Sequence, residues 1–538
     1  MWDIFGGLFA LTSGCRRANG FGPPPWTKKE SSLVILASIY YVSLPEGREF
    51  PMDILLSVLL GELTTRSINF LIRKCSKPSV LEVEDRLHRL LFRAQVIVEE
   101  GMGRHITNQA MLLQLNMMRD DMHRGHFALD TFRCQYKEVV SQTLSLSKVN
   151  SVKGLCSSNR NTEILEQLRK ALENLSSVIN DAEEMVMFLM SCPRLYRQPY
   201  SMHLQLSNCM FGRQMETEYV INFLLYTQPH DSEELEILPI VGPGRVGKST
   251  LVAHVCKNER VRDHFSEIIF LHGHDFTYDD LTTLREGCAV KHQSHMSNLN
   301  KDGRLLLIVE LVGDLNDDTW NRMYFASKQC MPRSSKIIVT SQSEKIMKFG
   351  TTQSLSLKNL SHEAFWYFFK TLTFGSMNPE MHPNFVRLAM EIARMQSGCL
   401  IGANITANLL RDNFDIRFWR KVLAFLRGHM QKHISQFGEH PYDLISENRP
   451  AHLGIMAAPS DDLMVYCQYE RSSQEEVPSI NINDVMYGNV KPHGKFEALA
   501  WKSQIPPYYS YTSTCEIQKL KGTTAKRKRS MKCEVTLC

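Results

Sequence analysis

Residues 238–250, with the sequence LPIVGPGRVGKST, constrain the fold of this 538-residue chain more than any other segment. An apolar run is followed by glycines in the spacing GxxxxGK[ST], and an amphipathic stretch follows at once. This order is typical of a phosphate-binding loop that joins a buried strand to the start of a helix. It predicts an α/β domain in which crossover helices link the strands of a parallel sheet.

Each residue type in this loop has a physical reason to be there. Glycine lets the backbone wrap closely, so that successive N–H groups face an anion, and the helix that begins near Lys248 adds the positive end of its dipole. We predict that Lys248 reaches the terminal phosphates of a diphosphate or triphosphate and that Ser249 ligates Mg²⁺. The predicted binding loop comprises Gly242, Pro243, Gly244, Arg245, Val246, Gly247, Lys248, Ser249 and Thr250.

Two later strands are predicted to end at the same site. A P-loop enzyme needs an acid that holds Mg²⁺ through water, and Glu310 follows the apolar run 305–309. Compared with Asp, the extra methylene of Glu displaces the carboxylate by about 1.5 Å, and Leu311 follows where a second carboxylate would act as base. The sequence therefore predicts weak ATP hydrolysis at most. Thr340, which ends the run 336–340, either senses a γ-phosphate or only caps the next helix.

The hydrophobic periodicity changes along the chain and divides it into domains. Apolar residues at helical spacing predict an N-terminal bundle, with breaks between its helices at 77–79, Gly101/Gly103 and Gly125. Four short apolar runs then alternate with helical stretches, as in a P-loop NTPase sheet. The aromatic run 365–369 is predicted to face a helical core. The predicted domains are an irregular extension (1–51), a helical bundle (52–195), a P-loop domain (205–355), a helical segment (356–435) and an irregular region with a disordered basic tail (436–538).

Charge and cysteine content exclude several classes of protein. Seven of the 62 Lys and Arg residues lie in 519–532, which has no acid, and the others nearly balance the 57 acids, so charge gives no argument for nucleic-acid binding. The 14 cysteines lack zinc-like spacing, which predicts reduced thiols in a cytoplasmic or nuclear protein. The apolar run 33–42 is too short for a membrane span, and none is predicted. The basic run 526–529 is either a nuclear-import signal or a solvated tail.

Together with the loop, four further segments resemble the NB-ARC nucleotide-binding module of plant disease-resistance proteins, of the coiled-coil class and most closely of the grasses. The segments are FGR at 211–213, HVCKNERVRDHF at 254–265, SSKIIVTSQSEKI at 334–346 and LSLKNLSHEAFWYFF at 355–369. The resemblance covers roughly 52–430. It implies that the ligands are ADP and ATP with Mg²⁺, that Phe211, Gly212 and Arg213 contribute to an adenine pocket, and that the N-terminal bundle binds protein partners.

The departures from the family pattern bear on function. Where the family ends its sensor strand with Thr-Thr-Arg, this chain has Thr340-Ser-Gln342, and where it has Gly-Leu-Pro-Leu-Ala, residues 397–403 read SGCLIGA. The acidic motif of the bundle is reduced to HFALD at 126–130. The sequence has neither the Met-His-Asp motif nor leucine-rich repeats, so the chain is expected to be a truncated member that starts at Met1 or Met52.

Three functions are compatible with these residues. The first is a defence switch that binds ADP and ATP, with self-association left open. The second is a degenerate adaptor or decoy that acts only through protein contacts. The third is an unrelated P-loop ATPase or kinase, and the weakened acids and the missing sensor arginine count against it. A complete phosphate loop favours the first, because its glycines and lysine have little reason to persist together for packing alone.

Overall fold

The computed structural model describes residues 80–145, 154–194, 206, 210–226, 235–273, 303–311, 314–332, 334–471, 475–505 and 508–519. The extension 1–51, the helices predicted before residue 80 and the basic run 526–529 lie outside the described residues. The described helices are α1 (Val80–Met102), α2 (Gln109–Ser145), α3 (Gly154–Asp181), α4 (Glu183–Ser191), α5 (Gln214–Leu225), α6 (Lys248–Cys256), α7 (Glu259–His264), α8 (Asp317–Cys330), α9 (His362–Phe374), α10 (Pro383–Met395), α11 (Leu400–Asp412), α12 (Ile416–Phe437), α13 (Pro441–Ser446) and α14 (Ile482–Tyr487). The described strands are β1 (Glu236–Val241), β2 (Glu267–Gly273), β3 (Leu305–Leu311), β4 (Lys336–Ser341), β5 (Leu355–Ser356), β6 (Ala451–Gly454), β7 (Asp461–Arg471), β8 (Lys495–Lys502) and β9 (Ser510–Lys519).

Helices α1 to α4 pack around one apolar core, and the stripe of α1 has the predicted helical spacing. That stripe comprises Val83, Leu87, Leu90, Leu91, Ala94, Ile97 and Val98. Helix α1 ends at Met102, so the break predicted at Gly101/Gly103 is confirmed. The break predicted at Gly125 is wrong, because Gly125 lies inside α2. A Cβ there would come 2.7 Å from Leu91 Cδ2, so glycine at this position lets α1 and α2 approach each other closely.

Strands β1 to β5 form the predicted parallel sheet, in the order β2-β3-β4-β1-β5. Alternate side chains of each strand enter two different cores. Leu238 and Ile240 of β1 face the core that α5, α6 and α7 complete, whereas Ile237 and Val241 face the core that includes Trp320 of α8. Because both faces of the sheet are covered, its strands read in the sequence as continuous apolar runs.

The helices that follow the parallel sheet form a second helical core, in addition to that of the N-terminal bundle, as the pattern over 356–435 predicts. All five residues of the aromatic run 365–369 in α9 are buried. Tyr367 belongs to the core of the N-terminal bundle, whereas Phe365, Trp366 and Phe369 belong to the second core. The run is buried on more than one side because α9 lies between these two cores.

The prediction of an irregular region over 436–538 is wrong for much of its length. Strands β6 to β9 form an antiparallel sheet in the order β6-β7-β9-β8, which we call the C-terminal sheet. Leu463, Val465 and Cys515 pack on the second helical core. The apolar pattern of the sequence conceals these strands because several of the side chains that they bury are polar, such as Thr512 and Ser513 of β9.

Asp130 of α2 connects the N-terminal bundle to α9. Its carboxylate accepts hydrogen bonds from Trp366 Nε1 at 2.8 Å and from Lys370 Nζ at 2.6 Å, in a largely buried setting. Asp130 is the acid that the HFALD segment retains. Its partners lie in the helical segment that follows the P-loop domain, so this acid joins two domains within the described chain.

Lys336, at the start of β4, is buried and holds α5 against the sheet. Its ammonium pairs with the Glu236 carboxylate of β1 at 2.7 Å and donates to the backbone oxygens of Phe223 and Tyr226, the second at 2.8 Å. Burial lowers the pKa of Lys336, and the Glu236 carboxylate partly opposes that effect. Exposed Lys345, which pairs with Asp314, offers a matched comparison.

We expect Lys336→Ala to destabilise the fold by about 3 kcal/mol, because the substitution leaves buried polar groups without this cation. Lys345→Ala should change the stability by less than about 0.5 kcal/mol, since exposed ion pairs contribute little. Urea unfolding of the full chain, followed by circular dichroism, measures both changes. Equal stability of the two variants would contradict the structural role assigned to Lys336.

Candidate nucleotide-binding site

The loop predicted to bind phosphate joins β1 to α6, and two of its glycines have backbone angles that favour this residue. Gly242 has φ +153°, and a Cβ there would lie 2.3 Å from the backbone oxygen of Leu357. Gly247 precedes α6 with φ +99°, in the left-handed region. The loop therefore turns from the end of a buried strand into a helix N-terminus, which is the geometry that the motif requires.

Lys248 is buried at the first position of α6, and its ammonium lies within the loop. Its Nζ donates to the backbone oxygens of Gly242 at 2.8 Å and of Pro243 at 2.7 Å. Burial lowers the pKa of Lys248 to about 8, and the nearby Glu310 carboxylate opposes the shift. Lys248, which is predicted to bind phosphate, is thus within electrostatic reach of Glu310, which is predicted to hold Mg²⁺.

The register of the sheet places the predicted groups at its carboxyl edge. Thr340 of β4 is level with Ile240 of β1 on one side and with Glu310 of β3 on the other. Glu310 therefore lies two strands from β1, about 10 Å at the usual strand spacing. The Thr340 side chain is buried between them. Hydroxyl and carboxylate oxygens such as those of Ser249 and Glu310 suit Mg²⁺.

Residues 211–213, predicted for an adenine pocket, lie before α5 and close to the loop. The neighbouring Met210 is the side chain that a Cβ on Gly247 would meet, at 3.4 Å. Arg213 is buried, pairs with Glu216 at 3.0 Å and donates to the backbone oxygen of Lys358. The described ring contacts of Phe211 are with His123, Tyr367 and Phe368. The adenine role of these residues stays a prediction.

Sequence reasoning missed a set of residues from beyond position 440 that contact the loop. A Cβ on Gly244 would lie 2.5 Å from the backbone oxygen of Ser446, and Thr250 Oγ1 lies 3.3 Å from Tyr511 Oη. Arg245 donates to the side chain of Asn448. The signal available in the sequence was the richness of 508–515 in Tyr and Thr, which favours a strand.

Comparison with known proteins agrees with the loop geometry. The family model of the NB-ARC domain matches residues 213–378, which include the loop and the sheet. The chain contains an NB-ARC domain.

Its curated relatives are plant disease resistance proteins. The chain is 27% identical over 226 residues to disease resistance protein RGA2 of Solanum bulbocastanum, a match that covers 40% of this chain and 23% of that protein. It is 23% identical over 371 residues to putative disease resistance RPP13-like protein 1 of Arabidopsis thaliana, which covers 63% of this chain and 34% of that protein. The match thus spans only about a quarter to a third of these relatives' length.

A solved structure of C. elegans PCH-2 aligns with 34% of this chain and 58% of its own, at 12% identity and a TM-score of 0.26. Among the described helices, none has the length and apolar character that a membrane crossing requires. In the same part of the chain, no three His, Cys, Asp or Glu side chains are grouped as metal ligands.

We expect Gly242→Ala in the NB-ARC domain to destabilise the chain by about 2 kcal/mol or more, because the new methyl would overlap a backbone oxygen. Gly428→Ala is the matched control, since a Cβ there, on an exposed face of α12, meets nothing within 4 Å. The control should stabilise the helix by up to about 1 kcal/mol. Thermal unfolding of both variants tests this, and an unchanged midpoint for Gly242→Ala would contradict the close contact.

Proposed function

We propose that this chain is an ADP- and ATP-binding regulatory protein of plant defence signalling, with weak ATP hydrolysis at most. The observation that carries the proposal is the loop between β1 and α6, in which left-handed Gly247 precedes a helix N-terminus and buried Lys248 points its ammonium into the turn. This arrangement suits a phosphate group. The names of the relatives support the defence context.

Different residues of the site would bind different parts of the nucleotide. The loop 242–250 would hold the phosphates through backbone N–H groups, and Lys248 would contact the terminal one. Mg²⁺ neutralises phosphate charge when bound, and the Ser249 hydroxyl and the Glu310 carboxylate, through water, would hold it. Arg213 and its neighbours would border the adenine. Leu311 and exposed Gln342 stand where a base and a sensor arginine would be needed, which supports slow hydrolysis.

The N-terminal bundle is the proposed site of protein partners and of self-association. It exposes several large apolar side chains, including Phe92, Met187 and Phe188, each more than 60% exposed. Exposed apolar surface of this kind is typical of contact sites. We place the protein in the cytoplasm, with the run 526–529 as a route to the nucleus.

We expect Lys248→Ala to weaken ADP binding by at least about tenfold, because a charge-assisted hydrogen bond to phosphate is lost. Isothermal titration of the full chain with ADP, with and without Mg²⁺, measures the change. Lys345→Ala, on the exposed surface, is the control and should leave the affinity unchanged. Unaltered affinity in Lys248→Ala would refute the site.

The affinity for ADP should also depend on pH. The pKa of Lys248 is lowered to about 8 by burial, and the charged form is the one that binds phosphate. Affinity should therefore be close to its maximum at pH 7 and fall by about tenfold between pH 7 and pH 9. In Lys248→Arg the side chain stays charged throughout, so the curve should be flat. A wild-type affinity that is constant over this range would contradict the role of Lys248.

A chain that binds neither ADP nor ATP, when wild type and correctly folded, would favour the adaptor function instead. Denaturing the purified chain and chromatographing the released small molecules gives a direct reading. Released ADP supports the switch. An empty chain without measurable affinity makes the loop a relic and leaves protein contact as the function.

A further inference from the structure

The C-terminal sheet and the short helix before it lie against the phosphate loop. Gly244 approaches the backbone oxygen of Ser446 so closely that a Cβ would lie 2.5 Å from it. At the other end of the loop, Thr250 Oγ1 and Tyr511 Oη are 3.3 Å apart. Chain from beyond residue 440 therefore contacts the loop at two places, at Gly244 and six residues later at Thr250.

Arg245 makes a third contact, in the middle of the loop. Its Nη2 donates to Asn448 Oδ1 at 3.1 Å and to the backbone oxygen of Gln468 at 3.4 Å. Asn448 Oδ1 also accepts from the backbone N–H of Gln468 at 2.8 Å. One amide oxygen thus joins the loop to the start of the C-terminal sheet and to its strand β7.

Both residues of this contact have left-handed backbone angles, since Arg245 and Asn448 each have φ +56°. Asparagine tolerates that region well, whereas arginine adopts it at a cost. Burial lowers the pKa of Arg245, and the Glu470 carboxylate of β7 opposes the shift. The loop therefore keeps an unfavourable backbone angle where it contacts the C-terminal sheet.

Tyr509 and Tyr511 are both within electrostatic reach of Glu470 in β7. Tyr511 lies in β9, and Tyr509 comes directly before that strand. Burial raises the pKa of Tyr509 to about 12, with further contributions from the Glu470 and Glu310 carboxylates. Tyr511 is buried, and its hydroxyl meets Thr250. Tyr511 thus lies at the Thr250 end of the loop, and Tyr509 is within electrostatic reach of Glu310.

We propose that the C-terminal sheet is the second wall of the phosphate pocket, opposite the loop. In this arrangement Tyr511 closes over the phosphates of a bound nucleoside diphosphate, and the Arg245–Asn448 contact holds the wall in place. The inference rests on the proposed function. The wall slows nucleotide release, because the phosphates leave only when the sheet separates from the loop. The family model of the NB-ARC domain matches residues 213–378. Residues outside that segment then control how long the nucleotide stays bound.

The test measures the release of a fluorescent ADP, N-methylanthraniloyl-ADP, from the full chain after addition of excess unlabelled ADP. Tyr511→Phe keeps the ring and removes the hydroxyl, and Asn448→Gly keeps the backbone angle and removes the amide. Each should release the probe about three to ten times faster than wild type, as expected for one lost hydrogen bond. Asn448→Asp keeps the acceptor oxygen and should release it no faster than wild type.

Tyr466→Phe is the matched control. It removes a tyrosine hydroxyl of the same sheet that bonds Glu516 instead of the loop. Its release rate should equal that of wild type. Thermal unfolding of each variant checks that the chain is folded, and Tyr511→Phe, which removes a single oxygen, keeps the test decisive if Asn448→Gly fails to fold.

A second readout does not need nucleotide. Hydrogen exchange of the amides of 242–250 in the unliganded chain should be faster in Asn448→Gly than in Asn448→Asp. If wild type binds the probe and both Tyr511→Phe and Asn448→Gly release it at the wild-type rate, the second wall is refuted and the proposed function stands. If wild type and Lys248→Ala bind the probe equally, or neither binds it, the proposed function falls and this inference falls with it.

Discussion

The parallel pairing of β1 with β4 is the interaction on which the rest of the site depends. It runs without interruption from Glu236 opposite Lys336 to Val241 opposite Ser341. Since both strands end at the same edge, the pairing brings the loop, Thr340 and, one strand further, Glu310 to one place. Lys336 stabilises the opposite edge by pairing with Glu236. A slip of one residue would exchange the two buried faces of β1 and separate these groups.

The chain that follows the parallel sheet returns to the phosphate loop instead of extending away from it. Helices α9 to α13 and the C-terminal sheet share one apolar core, so buried apolar surface holds the sheet to these helices. The polar contacts of Arg245 and Tyr511 then determine how the sheet sits on the loop. Apolar packing attaches the C-terminal sheet to the helices, and a few hydrogen bonds set its position on the loop.

The N-terminal bundle is attached through α9. Asp130 is bonded to Trp366 and Lys370, and Tyr367 enters the bundle core. The same helix packs its other face on the core that carries the C-terminal sheet. A single helix therefore packs both on the bundle core and on the core that carries the C-terminal sheet.

The sequence by itself determined the parallel sheet, the loop from Gly242 to Thr250 and the helices on either side, because buried strands and a phosphate loop leave local patterns of apolar residues and glycines. It did not determine the C-terminal sheet, whose buried residues include Ser and Thr, and it mistook Gly125 for a helix end. Only the tertiary structure decided that Asn448 and Tyr511 lie at the loop. Those residues are about 200 positions or more from Arg245, and no local pattern encodes a contact between segments so far apart in the chain.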